Sequence, residues 1–285
     1  MYNNTNIQPF GLILSSSGST KLIADIPANA MVDMLNEHKA VVMRGFPELS
    51  PEDFIAYAKR YGPLLKWEFG EILNLKIEKK PPNHLFGSGR VEMHWDGAYL
   101  TEVPRFSVFQ CLESSSCEND GETLFTDTIK FLEKASIVDR KKWEETTISY
   151  RTQKAAHYSG AVTVPLVGVH PCTGKGNVRF IEPYNEDNMD VNPVHVSIDG
   201  MESAAQEAFL KNFTKKLYAP DFMYRHRWKK GDFLIYDNNA LLHGRSKIKE
   251  NVSRHLQRIH ILDGNEYDIS RSPVFIGHEQ ADVHV

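Results

Sequence analysis

Cysteine is scarce. Three residues, at positions 111, 117 and 172, make an odd number with no C-x-x-C pair, which excludes a disulfide framework and a thiolate metal module and fits reduced thiols in a cytoplasm. Long apolar runs are missing as well, and none approaches the roughly twenty residues a membrane-spanning helix needs. The opening residues Met1-Tyr2-Asn3-Asn4-Thr5-Asn6 have neither the basic nor the apolar region of a secretory signal. With a net charge of −4 and no block of like charges, the chain offers no basic stripe to nucleic acid. No internal repeat is found. These absences leave a soluble cytoplasmic protein, without membrane or nucleic-acid partners, acting on a small molecule.

A hydrophobic content of 41% over 285 residues supplies a sizeable core, and the expectation is one domain over 1–285 with an irregular tail at 264–285. Pro27–His38 and Met201–Leu217 repeat apolar residues at helical spacing. Ser50-Pro51-Glu52-Asp53 opens a helix that Gly62 closes, and further helices are expected at Asp127–Lys134 and Val138–Thr146. Short strands are expected at Phe10–Leu14, Ala40–Met43, Phe106–Cys111, Glu122–Phe125, Ala161–Val169, Val178–Ile181, Phe222–Trp228, Phe233–Tyr236, Asn238–Gly244 and Arg254–Leu262, with Leu64–Glu78 extended. Strands that never alternate strictly with helices favour a sandwich or barrel over a doubly wound sheet.

The chemistry centres on Met93-His94-Trp95-Asp96-Gly97. If Glu92–Tyr99 is extended, His94 and Asp96 point the same way, and an imidazole beside a carboxylate can fill two adjacent corners of a metal's coordination sphere. A third ligand must come from elsewhere. His243 in Leu241-Leu242-His243-Gly244-Arg245 is the candidate, because two histidines and one carboxylate with open positions form the facial triad of non-haem Fe(II) oxygenases. The plain alternative is a strand histidine beside a solvated aspartate. Farther on, Arg254, Leu256, Arg258 and His260 share one strand face by period two. Two guanidinium groups on one face are costly to bury unless anions meet them, and bidentate pairing with carboxylates meets them best.

Together, His94-x-Asp96, Gly121-Glu122-Thr123-Leu124-Phe125, and His243 followed by Arg254 and Arg258 resemble the taurine dioxygenase family of Fe(II)- and 2-oxoglutarate-dependent oxygenases. The resemblance implies a mainly β fold with flanking helices, a double-stranded β-helix or cupin-like jelly roll. It implies that His94, Asp96 and His243 bind iron, that Thr123 and Arg254 hold the distal carboxylate of 2-oxoglutarate, that Arg258 faces the acidic group of the primary substrate, and that Tyr99 lines its pocket. Longer strings, among them Trp67-Glu68-Phe69-Gly70, His94-Trp95-Asp96-Gly97-Ala98-Tyr99-Leu100, Ala155-Ala156-His157-Tyr158-Ser159, Tyr224-Arg225-His226-Arg227-Trp228 and Asp237-Asn238-Asn239-Ala240-Leu241-Leu242-His243-Gly244-Arg245, resemble the PvcB-type branch. That branch acts after an isonitrile synthase on the isocyano acid derived from tyrosine.

Three protein ligands leave three positions on iron, two for 2-oxoglutarate and one for O₂. The oxidant so produced removes hydrogen from whichever C–H the pocket presents. For a tyrosine-derived isocyano acid that bond is the benzylic one, and the outcome is an unsaturated isocyano acid or, with loss of CO₂, a vinyl isonitrile. Trp67, Phe69, His157 and Tyr158 are candidates, with Tyr99, for cradling the phenol ring. Two other readings stay open: a hydroxylase of another small carboxylic or sulfonic acid on the same iron site, and a non-catalytic metal-binding β-barrel.

Overall fold

In the computed structural model, residues 2–16, 22–78, 81, 84–100, 102–114, 120–152, 160–183, 194–249 and 253–263 are described. The first segments are β1 (Tyr2–Asn6), β2 (Leu12–Ser16), α1 (Ala28–His38), β3 (Ala40–Arg44) and α2 (Pro51–Ala58). Helix α1 stops at Lys39, which turns left-handed (φ 66) and returns its N–H to the Leu35 carbonyl. Ser50 caps α2, its hydroxyl accepting the Asp53 N–H at 3.1 Å, with Pro51 in the first turn. The chain continues through β4 (Leu73–Lys76), β5 (Val91–His94), β6 (Phe106–Glu113), β7 (Thr123–Asp127), α3 (Thr128–Glu133) and α4 (Ile137–Glu144). Then come β8 (Thr147–Arg151), β9 (Ala161–Pro165), β10 (Val167–Val169), β11 (Gly176–Val178) and β12 (His195–Ile198). The remaining elements are α5 (Ser203–Leu217), β13 (Met223–His226), β14 (Phe233–Asp237), β15 (Leu241–Arg245) and β16 (His255–Ile261).

Two sheets dominate. Seven strands run in the order β1-β2-β3-β14-β6-β16-β4, and four run β13-β7-β15-β5. All these pairings are antiparallel except β2 with β3. Side-chain alternation then assigns each strand residue to a layer. In β14, Phe233 and Ile235 pack with α1 and α2 residues such as Met31, Leu35 and Phe54, while Leu234 and Tyr236 pack with Phe125 and Leu241 of the opposite sheet. In β16, Ile259 and Ile261 join the helix-facing cluster, so Arg258 and His260 face the other way, into the space between the sheets. In the four-stranded sheet, Met93, Leu124 and Leu242 pack outward against Phe131, Trp143, Phe209 and Phe213 of α3, α4 and α5. His94, Thr123, Phe125 and His243 therefore face inward. Fully buried rings such as Phe54, Phe213 and Phe233 contribute about 1.5–3 kcal/mol each and fix the layers between which the polar residues converge. This is the expected jelly roll with flanking helices.

The structure departs from the sequence expectations at several places. The extended reading of Glu92–Tyr99 ends at His94, and Asp96 to Tyr99 form a turn. Leu64–Glu78 narrows to β4 plus a single bridge from Leu64 to Ile261. The stretch expected as one strand at Ala161–Val169 splits at Pro165-Leu166 into β9 and β10, which pair in different sheets; Pro165 has no N–H to continue a ladder. Val178–Ile181 is replaced by β11, which starts two residues earlier. Strand β1, Tyr-Asn-Asn-Thr-Asn, carries no apolar alternation and is placed by its pairing with β2. No helix among the described residues is long and apolar enough to cross a membrane. The expected tail at 264–285 and residues 115–119 lie outside the described residues.

Candidate active site

His94 closes β5 directly opposite His243 of β15 in the antiparallel register. Cross-strand partners put their side chains side by side, and the two imidazole centroids are 4.2 Å apart. Asp96 follows in the turn, brought beside them by Gly97 at φ +84, where a Cβ would press against Pro104. Asn238 pins this turn: its Oδ1 accepts the Asp96 N–H at 2.9 Å, and its Nδ2 donates to the carbonyls of Asp96 and Pro104. The Asp96 carboxylate lies 3.9 Å from His94 Nε2 and 3.4 Å from His243 Nε2, and one donor atom from each residue falls within 4.8 Å of the others. Ligands about 2.0–2.2 Å from a shared metal need only a small inward adjustment from there.

Protonation suits such a role. Burial pushes the His94 and His243 imidazoles below their ordinary range, against the partial opposition of Asp96, so both present lone pairs at neutral pH. His94 Nδ1 lies 2.8 Å from the Glu92 carbonyl, which fixes Nδ1 as the protonated nitrogen and turns Nε2 to the site. Burial alone would raise the Asp96 carboxyl, but the Arg258 guanidinium and the surrounding imidazoles outweigh it and hold the group well below the usual carboxylate range.

Asp96 is held by an outer ring of donors. Tyr236 donates to Oδ2 at 2.7 Å, Ser107 donates at 3.2 Å, and Arg258 Nη1 sits 3.1 Å from Oδ1. The Ser107 hydroxyl is also 2.7 Å from His260 Nδ1. Tyr236 and Ser107 were not among the expected site residues. Their signal in the sequence is a polar side chain at an inward position of an otherwise apolar strand, Phe-Leu-Ile-Tyr-Asp and Phe-Ser-Val. His84, on one turn of 3-10 helix at His84–Phe86, is half-buried; desolvation, with the positive charges of Arg245 and Arg258, lowers its pKa to about 3.

Arg254 and Arg258 have different surroundings. Arg258 pairs with Asp96 through Nη1, whereas the buried Arg254 has no ion pair among the described residues; the Nε of each arginine lacks a hydrogen-bond partner there. Burial lowers the Arg254 pKa to about 10, opposed only in part by Cys111 and Asp120. Gly121 makes room for it: a Cβ there would stand 3.1 Å from the arginine's Cδ. Two residues along β7, Thr123 accepts the Trp228 indole N–H at 2.8 Å, which leaves its own hydroxyl proton to donate. Thr123 stands two residues from Phe125, the register partner of His243, a separation of roughly 6.6 Å along a strand and comparable to the span of a five-carbon diacid.

A buried cation with no ion pair among the described residues, a hydroxyl with a free proton and a cluster of two neutral imidazoles and one carboxylate fit a dicarboxylate chelated to Fe(II). Among the aromatic candidates, Trp67 is buried, stacks on the exposed Phe69 at 6.0 Å and approaches the His260 ring at 6.0 Å. Tyr99, in the turn after Asp96, packs against the outer cluster built on Trp95, Tyr150 and Phe180. His157 and Tyr158 lie outside the described residues.

Residues 7–260 match the family described as "Taurine catabolism dioxygenase TauD, TfdA family". A Fischerella ambigua protein named 3-((Z)-2-isocyanoethenyl)-1H-indole synthase is 42% identical over 257 residues, which cover 90% of this chain and 94% of that protein. Tyrosine isonitrile desaturase of Pseudomonas aeruginosa is 33% identical over 254 residues, 88% of this chain and 87% of its own. A solved structure described as PvcB, an Fe, alpha-ketoglutarate dependent oxygenase from an isonitrile synthetic pathway, superposes with a TM-score of 0.75 at 29% identity, covering 92% of this chain and 91% of the other. The motif-bearing strands and the polar cluster between the two sheets are thus those of a known lineage, and this chain belongs to the taurine catabolism dioxygenase TauD, TfdA family.

Proposed function

We propose that the chain is an Fe(II)- and 2-oxoglutarate-dependent oxygenase of isonitrile natural-product biosynthesis, desaturating a tyrosine-derived isocyano acid supplied by an upstream isonitrile synthase. The observation that carries this reading is the convergence of His94, Asp96 and His243 within 4.8 Å, together with a buried Arg254 that has no ion pair among the described residues. In it, His94, Asp96 and His243 hold the iron, Thr123 and Arg254 take the distal carboxylate of 2-oxoglutarate, and Arg258 and Tyr99 serve the primary substrate. Iron, 2-oxoglutarate and O₂, when bound, supply the oxidising power that removes hydrogen from an activated C–H, with succinate and CO₂ as co-products. The protein's part is to exclude water and aim the benzylic carbon.

Removal of two hydrogens gives the α,β-unsaturated isocyano acid. Removal of one benzylic hydrogen together with the carboxyl group as CO₂ gives the vinyl isonitrile, and either outcome is a two-electron oxidation of the substrate. The 42% identical relative is named for an isocyanoethenyl indole, which favours a second reading with the tryptophan-derived acid as substrate. Turnover of both acids with Fe(II), 2-oxoglutarate and O₂ tests the proposal. The expected product is lighter by two hydrogens or by the elements of formic acid, with succinate released in step. If neither acid raises succinate release above the substrate-free rate, the substrate assignment falls.

Arg258 bears on which product forms. A guanidinium gripping the substrate carboxylate opposes its loss as CO₂, so Arg258→Ala is expected to shift the products toward the vinyl isonitrile. Mass analysis of the two product pools reads this, and an unchanged ratio counts against a substrate role for Arg258.

A further inference from the structure

Thr123 does not stand alone. Its Oγ1 is the acceptor of the Trp228 indole N–H at 2.8 Å, in a buried contact. An indole nitrogen can only donate, and a hydroxyl has a single proton. With the indole occupying the acceptor side of Oγ1, the threonine proton is left to point elsewhere, and any carboxylate reaching Thr123 meets it as a donor. Such a chain, N–H to O–H to carboxylate, strengthens each of its own links in a low-dielectric interior.

The indole is in turn held from behind. The His226 ring meets it edge to face at 4.4 Å and Phe109 flanks it at 5.5 Å. His226 shares a 2.7 Å hydrogen bond with the Tyr224 hydroxyl and lies 3.5 Å from Asp232. Asp232 is clamped by two Arg44 hydrogen bonds of 2.7 Å and by the Lys229 N–H. Charged and aromatic groups run without a break from the partly exposed Arg44, the last residue of β3, through the buried Asp232, His226 and Trp228 to the hydroxyl on β7. None of them is a ligand in the site described above.

We infer that Trp228 is a positioning residue for 2-oxoglutarate: it acts through Thr123, orienting the hydroxyl so that its proton is presented to the co-substrate's distal carboxylate. This rests on the assignment of Thr123 and Arg254 to that carboxylate. The test is the dissociation constant of 2-oxoglutarate for the anaerobic Fe(II)-loaded protein, read from the visible charge-transfer band, with KM and kcat measured beside it. Trp228→Phe removes the N–H and keeps an aromatic ring. It is expected to weaken 2-oxoglutarate binding about tenfold, the size of one hydrogen bond, and to raise KM for 2-oxoglutarate while kcat at saturation stays within about twofold.

Backgrounds separate positioning from packing. With Thr123→Ser, which keeps the hydroxyl, the effect of Trp228→Phe should persist; with Thr123→Val it should vanish. An equal loss in the Thr123→Val background, or no loss in the natural one, overturns the inference. Arg254→Met is the control for the underlying assignment. If neither it nor Thr123→Val weakens binding, that assignment fails and the inference with it; if both weaken binding and Trp228→Phe does not, only the inference fails. Should Trp228→Phe not fold, benzothienylalanine at position 228 keeps the indole shape without the N–H and reads the same outcomes.

Discussion

Asp96→Asn is expected to weaken iron binding severely and, separately, to destabilise the metal-free protein. The first effect follows from charge: the amide offers the metal a neutral oxygen in place of an anionic one. The fall in Fe(II) affinity should exceed the 10–100-fold seen on losing an outer-shell partner of a ligand, by roughly another factor of ten. The second effect follows from Arg258, whose guanidinium lies 3.1 Å from Asp96 in a buried position. Removing the anion strands that cation, and breaking a buried pair from one side costs about 3–5 kcal/mol. Urea unfolding of the metal-free protein reads this cost, and Fe(II) titration reads the other. The double variant Asp96→Asn/Arg258→Met should recover stability without recovering metal. Asp96→Asn protein that binds Fe(II) within tenfold of the natural protein would sink the assignment of Asp96 as a ligand.

The parts of the site legible in the sequence are the local ones. His94 and Asp96 are two residues apart, so their proximity needs little more than the chain itself, even though a turn rather than a strand carries Asp96. His243 is 149 positions later, and its place opposite His94 depends on the antiparallel pairing of β5 with β15, a tertiary fact that no local pattern states. The same divide separates the arginines. Their burial is readable from the apolar strand around them, as is their need for anions. Which anion each meets is not: Arg258 finds Asp96 across the space between the sheets, and Arg254 finds no partner for its Nε among the described residues.

The layers were readable to the extent that alternation was clean. Phe233–Tyr236 and Arg254–Leu262 have apolar residues on one face and a mixed face on the other, and the structure places the mixed face inward. Strand β1 and the break at Pro165 were harder. The former is held by β2, not by its own composition, and the latter by a missing donor. Tyr236 and Ser107 carry no decisive signal in the sequence, because a single inward hydroxyl in an apolar strand is also compatible with a backbone partner, and only the facing carboxylate gives it a role.

Arg254→Met should separate function from stability in the opposite sense to Asp96→Asn. In the absence of co-substrate, Arg254 is a buried cation with an unsatisfied Nε and a pKa that burial lowers to about 10. Such a group opposes folding, and an apolar side chain of similar length relieves the cost, because replacing poorly satisfied buried charge with packed apolar volume is neutral or stabilising by about 1–4 kcal/mol. The variant is therefore expected to melt at the same temperature as the natural protein or higher. Its 2-oxoglutarate affinity should collapse. Hydrogen bonds to charged partners contribute about 1.5–3 kcal/mol each, so loss of a two-pronged guanidinium contact weakens binding on the order of a hundredfold or more. Iron affinity, which the proposal assigns to His94, Asp96 and His243, should change little. Thermal unfolding without ligands and anaerobic 2-oxoglutarate titration of the Fe(II) form, run side by side, read both quantities. A variant that melts several degrees lower and keeps its affinity for 2-oxoglutarate would make Arg254 a structural residue and return the co-substrate's distal carboxylate to some other cation.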